Sequence, residues 1–282
     1  MRAVGPIRRS ALDTWLLLKC SHPEPVFVVT TIVTLLAVAA GHGPGRVTLM
    51  ALAVFSGQLF VGWTNDLLDA RLDAAADRED KPLSDGRVPA RRVRAAAAFA
   101  APITVAFSLL VGLSAGVAHL VAVAAATSYN LGLKRTPFSI LPYACAFGLV
   151  PAFVTLAPPN SHSPALWATA AGGLLGGGAH FIQTLPDIER DRRAGIRGLP
   201  HVLGRRASAF AGPMLMAGSA VCVALGPSHA SPLVYAGMGL ALILLALILV
   251  ASALNRWLLA FRLTLITALV VVATVLSAGV YF

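Results

Sequence analysis

The stretch Asn65-Asp66-Leu67-Leu68-Asp69-Ala70-Arg71-Leu72-Asp73 sets three carboxylates and an amide into nine positions, directly after an apolar run that ends FVGWT. Asp66, Asp69 and Asp73 stand at i, i+3 and i+7, and Asn65, Asp69 and Asp73 at i, i+4 and i+8. A continuing helix would therefore carry all four on one face. A second group, Asp187, Glu189 and Asp191, follows another apolar run, with Asp187 and Asp191 one helical turn apart. Ten of the twelve acids lie in these two neighbourhoods, the first also holding Asp77, Glu79, Asp80 and Asp85; only Asp13 and Glu24 lie elsewhere. Stacked like charges cost a helix a few tenths of a kcal/mol per pair, and an acid at membrane depth costs about 2.5–3.5 kcal/mol. Something must offset that repulsion. Mg²⁺ suits the task, because it takes carboxylate oxygens and water and shares itself with a substrate phosphate where the protein supplies one or two carboxylates per ion. Two clusters around a diphosphate are the expected arrangement.

The elements that must position these groups are membrane helices. The chain is 57% apolar and 12% charged, with mean hydropathy +0.78, outside the range of soluble domains. Runs of about 20 apolar residues, enough to span the hydrocarbon layer, predict nine spans at 24–41, 47–68, 95–113, 115–131, 138–157, 164–186, 207–226, 232–252 and 258–281. Residues 11–22 read as an amphipathic lead-in ended by Pro23 and Pro25, with no cleavable signal peptide ahead of them. Nine spans place 21 of the 22 Lys and Arg on the side of the N-terminus and only Arg46 opposite. By the positive-inside rule the N-terminus and both acidic clusters are expected on the cytoplasmic face of the cell membrane. Net charge +10 then reflects topology and anionic lipid, and nucleic-acid binding is not expected.

Read together, these segments resemble the UbiA superfamily of intramembrane prenyltransferases. Asn65 to Asp73 is similar to its first motif, NDxxDxxxD. Asp187-Ile188-Glu189-Arg190-Asp191 with Gly195-Ile196-Arg197 is similar to its second, DxxxD with a trailing G-I-K/R. Lys81-Pro82-Leu83 with Gly86-Arg87 resembles the R-P-L-x-x-G-R loop, Lys81 standing where many members have Arg. Tyr129 to Arg135, YNLGLKR, resembles the Y-x(n)-K-R segment after the fourth helix.

The resemblance implies one all-α transmembrane domain over residues 1–282, nine helices around a central cavity with a cytoplasmic cap. It implies a prenyl diphosphate and a lipophilic acceptor as partners, with Mg²⁺ as cofactor. Asn65, Asp66, Asp69 and Asp73 would hold one ion, Asp187 and Asp191 the other; Asp66, Asp69, Asp187 and Asp191 would be the catalytic acids. Arg71, Lys81, Lys134, Arg135 and Arg197 are the candidates for the diphosphate oxygens. An allylic diphosphate ionises when its departing charge is stabilised, and the resulting cation needs a dry cavity. Aromatics such as Phe55, Phe60, Trp63, Tyr129, Tyr143, Phe147 and Phe181 are candidates to line it, and His180 and Gln183, on a face similar to that of Asp187, to orient an acceptor.

The run AGGLLGGGAH at 171–180 reads first as close helix packing and second as room for an isoprenoid chain. Cys20, Cys145 and Cys222 imply no disulfide or zinc framework. A transporter would place its ionisable groups near mid-membrane rather than at span ends. Asp85-Gly86 with Ala90-Arg91 misses the spacing of a CDP-alcohol phosphotransferase signature. A terpene cyclase of the same superfamily would share the ionisation machinery and remains the alternative to transfer onto an aromatic or quinone-precursor ring.

Overall fold

The computed structural model describes residues 6–75, 81–159, 161–227 and 232–277, and among these there is no strand. Thirteen helices follow in order: α1 (Pro6–Lys19), α2 (Pro23–Ala39), α3 (Pro44–Ala75), α4 (Ala90–Val111), α5 (Leu113–Leu131), α6 (Leu141–Gly148), α7 (Val150–Thr155), α8 (Leu166–Thr184), α9 (Ile188–Arg193), α10 (Leu199–Leu203), α11 (Arg205–Leu225), α12 (Pro232–Ala253) and α13 (Trp257–Ser277). Asp77, Arg78, Glu79 and Asp80 lie outside the described residues.

Among the described residues six segments are long and apolar enough to cross a membrane: α3, α4, the run Pro137–Thr155, α11, α12 and α13; Asp13–Lys19 of α1 with α2, bent by 74°, make a seventh if taken as one span. The expected runs 115–131 and 164–186 form as α5 and α8. They are rich in Ala and Gly and bury His119 and His180, which is why their apolarity falls short. The run expected at 138–157 is not one helix. It opens with a 3₁₀ turn at Pro137–Ile140 and breaks again at Leu149, ahead of Pro151, which has no N–H to continue the ladder.

Sequential helices pack as neighbours, α2 on α3, α3 on α4, α5 on α6, α8 on α11 and α12 on α13, and α13 returns to α2 to close the ring. The main core joins Ile32, Met50, Phe153, Ile182, Met216 and Ile248. In α8 the glycine run does what close packing requires. A Cβ on Gly172 would lie 2.4 Å from the Phe147 carbonyl oxygen and one on Gly176 2.5 Å from that of Tyr143, so α6 and α8 meet backbone to backbone.

The lead-in is a helix with a structural role. Leu16 and Cys20 are buried with Trp63, Leu83, Val88 and Val93, the Trp63 indole N–H donates to Leu17 O at 2.9 Å, and Arg92 pairs with Asp13 at 2.9 Å. α1 is thereby fastened across α3, α4 and the 81–89 loop. Between α1 and α2, His22 adopts φ 58° and ψ 73°, a left-handed conformation uncommon outside glycine.

Candidate active site

The first acidic motif lies on one unbroken helix, because α3 continues to Ala75 and so keeps Asn65, Asp66, Asp69 and Asp73 on one face. Asp66 is only 2% exposed. Lys81 Nζ donates to Asp66 Oδ1 at 2.9 Å and lies 2.8 Å from Asp73 Oδ2. Its own position is fixed by the loop around it, where Pro82, Leu83 and Val88 are buried and Val88 N–H donates to Pro82 O at 2.8 Å. Burial alone would push the Lys81 ammonium down; Asp66 and Asp73 outweigh it and hold the group above its ordinary value. Lys134 Nζ, buried at the end of α5, donates to Asp69 Oδ1. The repulsion between the stacked carboxylates is thus offset within the chain by two lysines, which stand among the acids rather than apart from them.

Two histidines complete the pattern. His22 Nε2 donates to Asp66 Oδ1 at 3.2 Å, and His201 Nε2, on α10, donates to Asp191 Oδ2 at 3.1 Å. Neither was a candidate from sequence, where an isolated histidine carries no spacing signal. Asp66 Oδ2, Asp69 Oδ2 and Asp191 Oδ1 have no protein partner among the described residues, so each of these carboxylates has one oxygen held and one open.

The second motif is built differently. Pro186 follows α8, and Asp187 stands at the N-cap position of the short α9 without a side-chain capping bond. Asp191 N–H donates to Asp187 O at 2.8 Å, so one helical turn does join the two acids, and Asp187 Oδ1 meets Arg190. The expectation that His180 and Gln183 share a face with Asp187 assumed one continuous helix; α8 instead ends at Thr184 and tightens into i→i−3 bonds at Leu185 and Asp187 around Pro186, which has no N–H to donate, so its phase shifts before Asp187. Gln183 instead donates to the Tyr143 hydroxyl, and His180 Nε2 lies 3.0 Å from Ser139 Oγ. Tyr143 stacks on His180 at 4.8 Å, and Tyr129 meets Tyr143 edge-on at 5.1 Å. Lys134, which holds Asp69, also lies against Gly198, where a Cβ would be 2.8 Å from the Lys134 carbonyl oxygen and 3.2 Å from Nδ1 of the His201 that holds Asp191, so the ends of α3 and α5 and the α9–α10 segment converge. Arg71, Arg135 and Arg197 are exposed.

Among the described residues two clefts open between the helices. The larger runs between α2, α8, α11 and α13; the smaller lies between α2, α3, α5 and the α6–α7 segment; Val29, Phe147 and Val150 border both. Of the aromatics expected to line a cavity, Phe147 does. Trp63 and Phe60 pack instead toward α1 and α4, Phe55 pairs with Phe27 at 6.1 Å, and Phe181 is buried in packing.

The donor chemistry fits Mg²⁺ in a particular way. Among the described residues no three Asp, Glu, His or Cys side chains converge closely enough to hold an ion alone. One or two open carboxylate oxygens per ion, completed by substrate oxygens and water, are what the chain offers.

The profile of the UbiA prenyltransferase family matches residues 27–263. A lycopene elongase/hydratase from Haloarcula japonica is 29% identical over 58% of this chain and 59% of its own length. The bacteriochlorophyll synthase 33 kDa chain of Cereibacter sphaeroides is 30% identical over 66% of this chain and 65% of its own. The chain thus spans about six-tenths of the length of these curated relatives. Among solved structures, the apo form of a UbiA homolog from Aeropyrum pernix superposes with TM-score 0.72 at 20% identity, covering 90% of this chain and 98% of that one. A UbiA homolog from Archaeoglobus fulgidus bound to GPP and Mg²⁺ superposes with TM-score 0.68 at 17% identity, covering 92% and 99%. At these identities the likeness establishes the fold.

Proposed function

This chain belongs to the UbiA prenyltransferase family, and on that premise we propose that it transfers an isoprenyl group from a prenyl diphosphate to a lipophilic acceptor, aromatic or quinone-precursor, within the membrane. The observation that carries this reading is the convergence of two carboxylate motifs at one end of the bundle, where Lys134 holds Asp69 and lies against Gly198, beside the His201 that holds Asp191, with one oxygen of Asp66, Asp69 and Asp191 open. Mg²⁺, named with GPP in the Archaeoglobus structure, would be held by those oxygens with Asn65, Asp73 and Asp187, and when bound supplies charge neutralisation of the diphosphate.

The remaining work falls to the chain's own groups. Lys81 and Lys134 sit within hydrogen-bond reach of the carboxylates, and an ammonium with three donors can serve a carboxylate and a phosphate oxygen at once. Arg71, Arg135 and Arg197 supply further cations at this end of the bundle. Departure of the diphosphate leaves an allylic cation, and the clefts between the helices, lined mainly by apolar side chains with Phe147, Phe153 and Trp167 among them, offer it surroundings poor in water. The nine-span reading, with α5 and α8 as shorter and less apolar spans, puts this end on the cytoplasmic side of the cell membrane, where the basic residues accumulate.

The test is to incubate purified protein with a panel of prenyl diphosphates and Mg²⁺, with and without aromatic acceptors, and to identify products by mass spectrometry. Prenylated acceptor formed with Mg²⁺ and lost on chelation is the expected result. Turnover undiminished in EDTA, or a cyclised hydrocarbon formed without any acceptor, overturns the proposal.

A further inference from the structure

The smaller cleft is apolar except for Gln58 and His119. His119 lies in the middle of α5 and is 7% exposed. Its tautomer follows from its neighbour. Ser108 Oγ donates to Thr104 O at 2.5 Å, a separation that two oxygens reach only with the proton between them. That spends the one hydroxyl proton, so at 2.7 Å Ser108 Oγ accepts from His119 Nδ1. The imidazole is therefore the Nδ1–H form, and Nε2 carries a lone pair with no partner among the described residues.

The ring is also held from its other sides. It stacks on Phe153 at 4.7 Å and 26°. Gly116 brings α5 against α4, since a Cβ there would lie 2.5 Å from Ser108 O, and at Gly57 of α3 a Cβ would lie 3.4 Å from His119 Nε2. A fixed acceptor atom without a protein partner, on a side chain that borders an apolar cleft, is left available to a ligand's donor. The larger cleft differs: its one hydroxyl, Ser219, is spent on Ala171 O at 2.8 Å, and the other polar group in its lining, the Trp167 indole N–H, is a donor and offers no acceptor. An isoprenoid chain fits that cleft, whereas the smaller one asks for a hydrogen-bond donor on an apolar body.

We propose that the smaller cleft binds a lipophilic hydroxyl compound, an alcohol or phenol, whose O–H donates to His119 Nε2 beside the Gln58 amide. On the transferase reading this compound is the acceptor. Seven residues of α3 separate Gln58 from Asn65, about 10 Å along the helix, and ten residues of α5 separate His119 from Tyr129, about 15 Å. The hydroxyl is anchored that far from the carboxylates, and the carbon to be prenylated lies between.

Calorimetry on the purified, detergent-solubilised protein with 4-hexylphenol and hexylbenzene tests this without any turnover. Wild type is expected to bind the phenol about tenfold more tightly, the value of one hydrogen bond made in a dry site. His119→Phe keeps the ring stack and should bring the ratio to about one while leaving hexylbenzene binding intact. Gln58→Leu, which leaves the α4–α5 contact untouched, should lower the ratio by about half. Ser108→Ala removes only the interhelical bond and should retain a preference for the phenol. Equal affinities in wild type, or a preference that survives His119→Phe, would overturn the proposal and mark the histidine as an interhelical tie. Stabilisation by Mg²⁺ with inorganic diphosphate is measured alongside. Its absence with the phenol preference intact sinks the transferase reading alone, and its presence without the preference sinks the cleft alone.

Discussion

The two acidic motifs sit at the same end of the bundle and are held in place by different physics. On α3 the carboxylates ride a 32-residue helix and are held by groups from other segments, hydrogen-bonded by His22 and paired with Lys81 and Lys134, with Asp66 2% exposed. On α9 the acids occupy a six-residue helix; Asp187 meets Arg190 one turn on, with side chains 35 and 38% exposed, and Asp191 meets His201 ten residues on. The first motif is thus part of the tertiary fold, and the second is nearly self-contained. A group compensated from distant segments is rigid but fails with any one of them, whereas a locally compensated group tolerates loss and can move.

The largest expected effect tests the first half of that contrast. Lys81→Met leaves Asp66 and Asp73 without their shared cation, and breaking a buried pair from one side costs about 3–5 kcal/mol, to be read as a lowered midpoint of thermal unfolding. Lys81 has its value raised by folding, so its contribution is complete below the ordinary lysine range, about pH 10.4, and is lost as pH rises through the higher folded value. The gap between wild type and Lys81→Met should therefore persist across neutral pH. A midpoint within a degree of wild type would mean that Lys81 compensates nothing.

Turnover asks whether the two motifs, built so differently, serve one reaction. Asp69→Ala and Asp187→Ala should each lower it by at least about 100-fold, roughly 3 kcal/mol of transition-state stabilisation; Asp187→Ala should keep its unfolding midpoint, whereas Asp69→Ala leaves buried Lys134 unpaired and should lower it as well. Loss in one variant and normal rate in the other would separate the motifs. A smaller effect is expected at His201, which holds one oxygen of Asp191 and leaves the other open. Partners of this kind alter metal affinity by about 10–100-fold, so His201→Ala should weaken Mn²⁺ binding followed by spin resonance, and His201→Gln, whose amide nitrogen reaches the place of Nε2, should restore most of it. Equal loss in both would point to packing. Smallest of all is Arg190→Ala, an exposed pair worth about 0–1 kcal/mol; a drop comparable with that of Lys81→Met would erase the contrast between the two regions.

How far the sequence could be read follows the same division. The face carrying Asn65, Asp66, Asp69 and Asp73 was legible because spacing along one uninterrupted helix is a local property. The convergence of the acidic clusters was foreshadowed by the side on which both spans end. His22 and His201 were not legible, since each reaches its carboxylate through a chain reversal, one at a left-handed residue and one after the α9–α10 turn. The place of His180 and Gln183 failed for a related reason: helical phase was carried across Pro186, where it shifts. In the fifth expected span apolarity was visible, but the break at Leu149 was not, because hydropathy is indifferent to a proline that fits any apolar run.

The closure of the ring by α13 against α2 has a consequence for the order in which this protein is made. Val271, Val272 and Val275 on α13 and Val29, Ile32 and Leu36 on α2 wall the same cleft, yet they are separated by nearly the whole chain. During synthesis α2 is made long before α13, so that wall lacks one side until α13 has been made. Contacts of such long sequence separation form last. The chamber closes only when the final helix is in place, and until then the carboxylate end can be assembled beside an open side.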